Sequence, residues 1–269
     1  MIFAMRKVAF RYGEHPVIAN FELELEPGFF HGILGPNGCG KTTVLDLLGG
    51  YRQPAQGTVA FRGRPLRRYS RRALAREIAL VPQDFYINFP YRSEEIVMMG
   101  RYPYIPRFAA PSPQDRKIVA AVMDKTDIRD LGGRFVTELS GGERQRVVFA
   151  RALAQDTPVL LLDEATSNLD IRHTLSLLSL AADDVRRRQK TVVAIFQDIN
   201  LAAQFCDRLV FMRAGQVAAR GPVERVLTPA TIRAVFGVEA RVYDEAFSGR
   251  KQVAFRPRAD EPALSQIVK

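Results

Sequence analysis

Eight residues near the front of the chain, GPNGCGKT at 35–42, have the spacing G-x-x-x-x-G-K-[ST]. Glycines in that pattern let successive backbone N–H groups curl around an anion. The lysine then reaches the outer phosphates of a nucleoside triphosphate, and the hydroxyl holds magnesium. Gly35, Pro36, Asn37, Gly38, Cys39, Gly40, Lys41, Thr42 and Thr43 are therefore candidate phosphate-loop residues, with Lys41 on the β and γ oxygens and Thr42 on Mg²⁺. VLLLDE at 159–164 ends an apolar run in two carboxylates. A buried strand would deliver both to the tip of a sheet, where α/β proteins bind ligands. Asp163 suits Mg²⁺, directly or through water, and Glu164 suits a base that polarises the water attacking a γ-phosphate in line. LSGGE at 139–143 offers a serine hydroxyl and the N–H groups of Gly141 and Gly142 at the start of a helix, a second anion site by the same physics. Taken alone it also reads as a helix cap, with Ser140 as the cap and Glu143 completing a capping box.

The elements that must carry these residues follow from the apolar pattern. Residues 2–10 and 21–26 read as strands, the second by strict alternation, with turn residues Gly13, Pro16, Pro27 and Gly28 nearby. FFHGIL at 29–34 is nearly continuous and apolar, as in a strand buried on both faces, and it runs straight into the glycine-rich loop. Thr42 to Leu48 predicts a buried helix that stops at Gly49 and Gly50. VLLLD at 159–163 and TVVAIF at 191–196 are further buried strands separated by a helical stretch, so a parallel α/β sheet is expected. Residues 91–135 show helical spacing and no comparable strand, which predicts a helical insertion. Residues 222–237 predict one or two short helices with a proline break, and residues 244–269 are expected to be an appended tail.

With 269 residues, 47% hydrophobic and 25% charged, the chain can bury a sizeable core and is not a disordered or disulfide-stapled protein. Two cysteines and no zinc spacing favour a reducing compartment. No stretch is long and apolar enough for a spanning helix, and the opening MIFAMRKVAF lacks the order of a signal peptide, so any membrane role is expected to be peripheral. The net charge of +10 favours anionic partners: nucleotides, nucleic acids or lipid head groups. The arginines at 64–72 and 186–188 are expected to be solvated helix ends, with nucleic-acid contact as the alternative.

GPNGCGKT, LSGGERQR and VLLLDEATSNLD, in this order and spacing, resemble the nucleotide-binding subunit of an ABC transporter over roughly residues 3–240. The resemblance implies a P-loop NTPase (RecA-like) α/β core with an antiparallel β subdomain and an inserted helical subdomain. It implies one ABC ATPase domain at 1–243, with the core at 1–84 and 156–243, the helical subdomain at 85–155 and the tail at 244–269. It also implies ATP and Mg²⁺ as ligands and a head-to-tail dimer in which each ATP lies between the phosphate loop of one copy and Ser140, Gly141 and Gly142 of the other. Tyr12 matches the aromatic that stacks on adenine, Gln83 the glutamine that reaches Mg²⁺ and the attacking water, and Asp170 the loop acid that meets the partner copy. Gln197 stands where the family usually has a histidine on the γ-phosphate. A glutamine amide can donate to phosphate and accept from water but carries no proton's charge, so hydrolysis is expected, with its rate open.

The aromatic run after Gln83, with Phe85, Tyr86, Phe89, Tyr91, Tyr102 and Tyr104, falls where the family's helical subdomain receives the membrane subunit; as individual residues they could equally fill that subdomain's core. GRYPY at 100–104 resembles the G-R-x-P-H segment of importers for iron–siderophore complexes, haem and cobalamin, with Tyr104 where histidine is commoner. Such importers pair two cassettes with a permease homodimer, fed by a separate substrate-binding protein, at the cytoplasmic face of the cell membrane. No nucleic-acid partner is expected, although a soluble ABC ATPase acting on nucleic acid or ribosomes is the rival that the positive charge supports.

Overall fold

A computed structural model describes residues 1–83, 85, 89–166 and 169–256. The chain opens with β1 (Phe3–Tyr12) and β2 (His15–Leu25), paired antiparallel around Gly13. β3 (Phe30–Leu34) leads through loop 35–40 into α1 (Lys41–Leu48). β4 (Gln56–Phe61) and β5 (Arg64–Pro65) follow, and α2 (Arg71–Leu74) precedes β6 (Ile78–Val81). Three helices come next: α3 (Ser93–Met99), α4 (Pro113–Lys125) and α5 (Gly141–Ala154). The chain then returns through β7 (Val159–Asp163), α6 (Ile171–Arg188), β8 (Thr191–Ile195), α7 (Ile199–Phe205), β9 (Arg208–Arg213) and β10 (Gln216–Pro222). It ends in α8 (Val223–Val226), α9 (Pro229–Phe236), β11 (Glu239–Glu245) and β12 (Arg250–Arg256).

Two sheets organise the molecule. The larger has the order β10-β9-β3-β8-β7-β6, parallel throughout except for β10, and the smaller is antiparallel with the order β2-β1-β4-β5. β3, β7 and β8 are buried at every position, which explains their unbroken apolar sequences. Along β7, Leu160 and Leu162 face a core shared with α6, α7 and α9, whereas Val159 and Leu161 face one shared with α1 and the antiparallel sheet. β2 is longer than its alternating stretch at 21–26, and Pro16 lies inside it. An edge strand tolerates a residue with no N–H to donate.

The insertion between β6 and β7 has a small core of its own, from Ile96 and Val97 on α3, Val119 and Met123 on α4, and Val147 and Ala150 on α5. Arg101 ties its three helices together. Its Nε donates to Asp115 at 2.9 Å in a buried ion pair, and its Nη1 donates to the carbonyl of Ala154 at the end of α5 at 2.8 Å. Arg72 and Arg76 bind this lobe to the core, both donating to the Pro103 carbonyl at 2.9 Å. Arg72 is therefore more than a solvated helix end. Arg186, Arg187 and Arg188 do close α6, where their charge complements the negative end of the helix dipole, and Arg188 also pairs with Asp156 at 2.6 Å.

The segment expected to be an appendage is in part integral. β11 and β12 form an antiparallel hairpin over 239–256, so the expected boundary at 243 falls inside a strand. Val253 is 5% exposed and belongs to the main core. The sparse apolar residues of the hairpin (Ala240, Val242, Val253) give little signal in sequence because the body of the protein supplies the packing. Among the described residues no helix is long and apolar enough to cross a membrane.

Candidate functional site

The phosphate-loop residues, both carboxylates and Gln197 follow the C-terminal ends of β3, β7 and β8, with β8 between the other two. Ile195 pairs with Ile33 on one side and Asp163 on the other, so Gln197, two residues on, sits between loop 35–42 and the carboxylates. The loop's geometry depends on two glycines. Gly40 adopts φ +98°, a left-handed conformation that side chains resist. A Cβ on Gly35 would stand 2.3 Å from the Met212 carbonyl of β9. The N–H groups of Lys41, Thr42 and Thr43 precede the first helical hydrogen bond, from Val44 N to the Gly40 carbonyl at 3.0 Å, and so are unpaired within the helix and suited to bind an anion. Lys41 is buried, and its ammonium is held by the carbonyls of Gly35 (2.8 Å) and Pro36 (3.2 Å), which fixes the charge at the mouth of the loop.

Thr42 Oγ1 donates to Asp163 Oδ1 at 3.3 Å, joining loop to strand end. Burial pushes the Asp163 carboxyl up to about 6; the Thr42 hydrogen bond opposes the rise, and the charges of Glu164 and Asp46 add to it. Glu164 is 9% exposed with φ +47°, a conformation uncommon outside glycine that turns its carboxylate back towards β8. There Gln197 Nε2 donates to Glu164 Oε2 at 2.5 Å. A cavity of about 270 Å³ opens beside this pair, lined by Thr166, Leu169 and Phe196 among others. Burial raises the pKa of the Cys39 thiol, against the nearby Lys41 charge, so it is a neutral filler of the loop. Tyr12 is half-exposed; its hydroxyl accepts from Thr43 at 3.5 Å, Arg52 lies over its ring at 5.3 Å and Phe10 meets it edge-on.

Other candidates lie apart. Gln83 is exposed two residues beyond β6, on the same sheet edge as Asp163, and makes no side-chain hydrogen bond among the described residues. Ser140 and Gly141 are exposed at the start of α5, in the helical lobe. Ser140 does form the capping box with Glu143, at 3.3 and 2.8 Å, and these bonds hold the Glu143 carboxyl below its ordinary range. No hydrogen bond links this turn to the phosphate loop among the described residues. Asp170 caps α6, accepting from the His173 N–H at 2.9 Å, which lowers its pKa.

Sequence reasoning missed Gln145, buried on α5, whose Nε2 donates to the Ala165 carbonyl at 2.9 Å and so braces the turn after Glu164. A glutamine on an otherwise apolar helix face was the available signal. Of the aromatic run, Phe89, Tyr91 and Tyr102 are exposed, and the two tyrosines line a groove of about 540 Å³ between α3 and α4 with Met98 and Met99. Phe85 instead packs into the cores under Arg151, and Tyr104 is stacked on Arg101 at 4.3 Å. Tyr86 lies outside the described residues.

The ABC transporter family profile matches residues 18–167. The cobalamin import ATP-binding protein BtuD of Halobacterium salinarum is 39% identical over 94% of the chain, which spans only 63% of that relative's length. The ferric enterobactin transport ATP-binding protein FepC of Escherichia coli is 35% identical over 88% of each chain. The hemin import ATP-binding protein HmuV of Pseudomonas aeruginosa is 40% identical over 94% of this chain and 99% of its own. Among solved structures, an ABC transporter described as metal-chelate type, in an inward-facing conformation, superposes with a TM-score of 0.80 at 29% identity, covering 95% of this chain and 97% of that one. A dimeric ATP-binding cassette bound to ADP and phosphate gives 0.74 at 26% identity, covering 82% and 98%. On matches of this extent in both sequence and fold, the chain belongs to the ABC transporter family.

Proposed function

We propose that the chain is the ATP-hydrolysing subunit of an ABC importer for a metal chelate, of the class to which iron–siderophore complexes, haem and cobalamin belong. The observation that carries the reading is the junction of three strand ends in one site: Thr42 on Asp163, and Gln197 on Glu164. The names of the relatives, importers of cobalamin, ferric enterobactin and hemin, support the cargo class.

The α1 N–H groups and Lys41 bind the β- and γ-phosphates, and Tyr12 stacks on adenine. A hydroxyl and a carboxylate 3.3 Å apart beside a phosphate loop are the hard oxygen donors that magnesium prefers, so Thr42 and Asp163 fit Mg²⁺, with Gln83 completing the set from the end of β6. When bound, the ion neutralises charge on the phosphate oxygens. Glu164 takes the proton of the water that attacks the γ-phosphorus as the bond to the ADP oxygen breaks, and Gln197 aims that carboxylate through its amide.

Ser140 and Gly142, which no hydrogen bond joins to their own phosphate loop among the described residues, close over the ATP of a second copy, whose Asp170 loop they meet. The groove of Tyr91, Met98 and Tyr102 docks the permease homodimer, which holds the chain at the cytoplasmic face of the membrane and is fed by a substrate-binding protein. ATP favours the closed dimer, hydrolysis reopens it, and the permease follows.

The test is ATP turnover by the purified chain with and without its permease in lipid. Magnesium-dependent turnover should rise with the permease. Glu164→Gln should lower kcat by about 100-fold or more with little change in KM, the size expected for loss of a general base. Turnover untouched by Glu164→Gln removes the base assignment, and stimulation by nucleic acid in place of permease favours the rival class.

A further inference from the structure

The C-terminal hairpin is bonded to the segment that carries Gln197. Asn200, in the first turn of α7, uses both ends of its amide on one residue of β12. Its Nδ2 donates to the Val253 carbonyl at 3.2 Å, and its Oδ1 accepts from the Val253 N–H at 2.7 Å. The side chain thus pairs with the hairpin as a neighbouring strand would. Val253 is itself fixed, being 5% exposed in the core that also contains Phe196 and Ile199. Lys251 anchors the same strand, reaching Asp244 across the hairpin at 3.0 Å and Glu224 at 3.2 Å.

Only two residues separate Asn200 from Gln197. β8 ends at Ile195, Phe196 is buried, Gln197 is exposed, and Asp198 caps α7 by accepting from the backbone N–H of Asn200 at 2.7 Å. The span bearing Gln197 is therefore held at one end by β8 and at the other by a seven-residue helix. So short a helix has little stability of its own and takes its position from what it packs against: the main core, through Ile199, Ala202 and Phe205, and the hairpin, through Asn200.

We infer that Asn200 is a positioning residue for ATP hydrolysis and that the C-terminal hairpin, through Val253, sets where Gln197 holds the Glu164 carboxylate. The inference rests on the proposed roles of Glu164 and Gln197. It gives the hairpin a part in turnover although, among the described residues, no hydrogen bond or ion pair joins it to the phosphate loop. The loop that binds ATP does not depend on the Asn200–Val253 pair, so that pair acts on kcat and not on KM.

The experiment is a double-mutant cycle on the full chain, with kcat and KM for ATP measured for Asn200→Ala, Gln197→Ala and the combination, and amide hydrogen exchange followed across residues 196–201. Asn200→Asp serves as a second probe. It keeps the acceptor for the Val253 N–H, sets an oxygen against the Val253 carbonyl, and suits the first turn of a helix, so it folds. The expected result is a fall in kcat of about 5- to 10-fold for Asn200→Ala at unchanged KM, faster exchange in 196–201, and no further fall when it is added to Gln197→Ala. Asn200→Asp should give a smaller fall of the same kind. An Asn200→Ala enzyme with unchanged kcat, or one that loses the same factor in both backgrounds, overturns the inference and leaves the role of Gln197 standing. A Gln197→Ala enzyme with undiminished kcat removes both.

Discussion

The carboxylate of Asp163 carries an electrostatic cost that the site exists to use. Burial raises its pKa from the ordinary 3.8 to about 6, so between those values the folded chain holds a proton that the unfolded chain has released. Stability of the chain free of metal and nucleotide therefore falls as pH rises through this window, by on the order of 2 kcal/mol. Asp163→Asn should raise the urea midpoint of that chain at about pH 7.5, leave it nearly unchanged at about pH 4, and abolish magnesium-dependent turnover. A midpoint unmoved at the higher pH would count against a buried charge there. Lys41, Thr42, Asp163 and Glu164 were legible from sequence because phosphate chemistry fixes both residue type and spacing. The bond from Gln197 to Glu164 was not, because it joins residues 33 positions apart that meet only through the order of the strands.

Each element delivers a side chain by ending at a set place. β3, β7 and β8 could be read as strands because they are buried on both faces and hence continuously apolar. β11 and β12 could not, since the exposed aromatics Tyr243 and Phe255 blur the alternation, and the packing of the inner face is completed by α7 and α9. The phosphate loop, for its part, is shaped from outside as well as by its own glycines. Gly35 passes so close to β9 that a methyl group would stand 2.3 Å from the Met212 carbonyl, and neither backbone can yield without breaking strand pairing. Gly35→Ala should destabilise the fold by about 2 kcal/mol or more and weaken ATP binding at least tenfold, read by denaturant melts and calorimetry. Normal affinity in a destabilised variant would separate the loop's shape from its packing.

As a whole, the molecule leaves the start of α5 without a hydrogen bond to its own phosphate loop among the described residues. Ser140 and Gly141 stand exposed at the start of α5, and a side chain on Gly141 would meet open space. Ser140→Arg should leave the fold and the binding of ATP to the isolated chain intact. It should also abolish ATP-dependent dimerisation, sought by light scattering in the Glu164→Gln background where slowed hydrolysis would prolong the closed state, and lower turnover by about 100-fold. An undiminished dimer would place the second copy elsewhere. The same helix has a mechanical consequence. α5 is 14 residues long, about 20 Å, with Ser140 at one end and, at the other, the Ala154 carbonyl gripped by Arg101. Held there, α5 is a lever with its fulcrum at the end remote from Ser140. A tilt of about 10° of the lobe as a whole about that end sweeps Ser140 through about 3 to 4 Å, the difference between a hydrogen bond and none, and strains the bond from Gln145 to the Ala165 carbonyl.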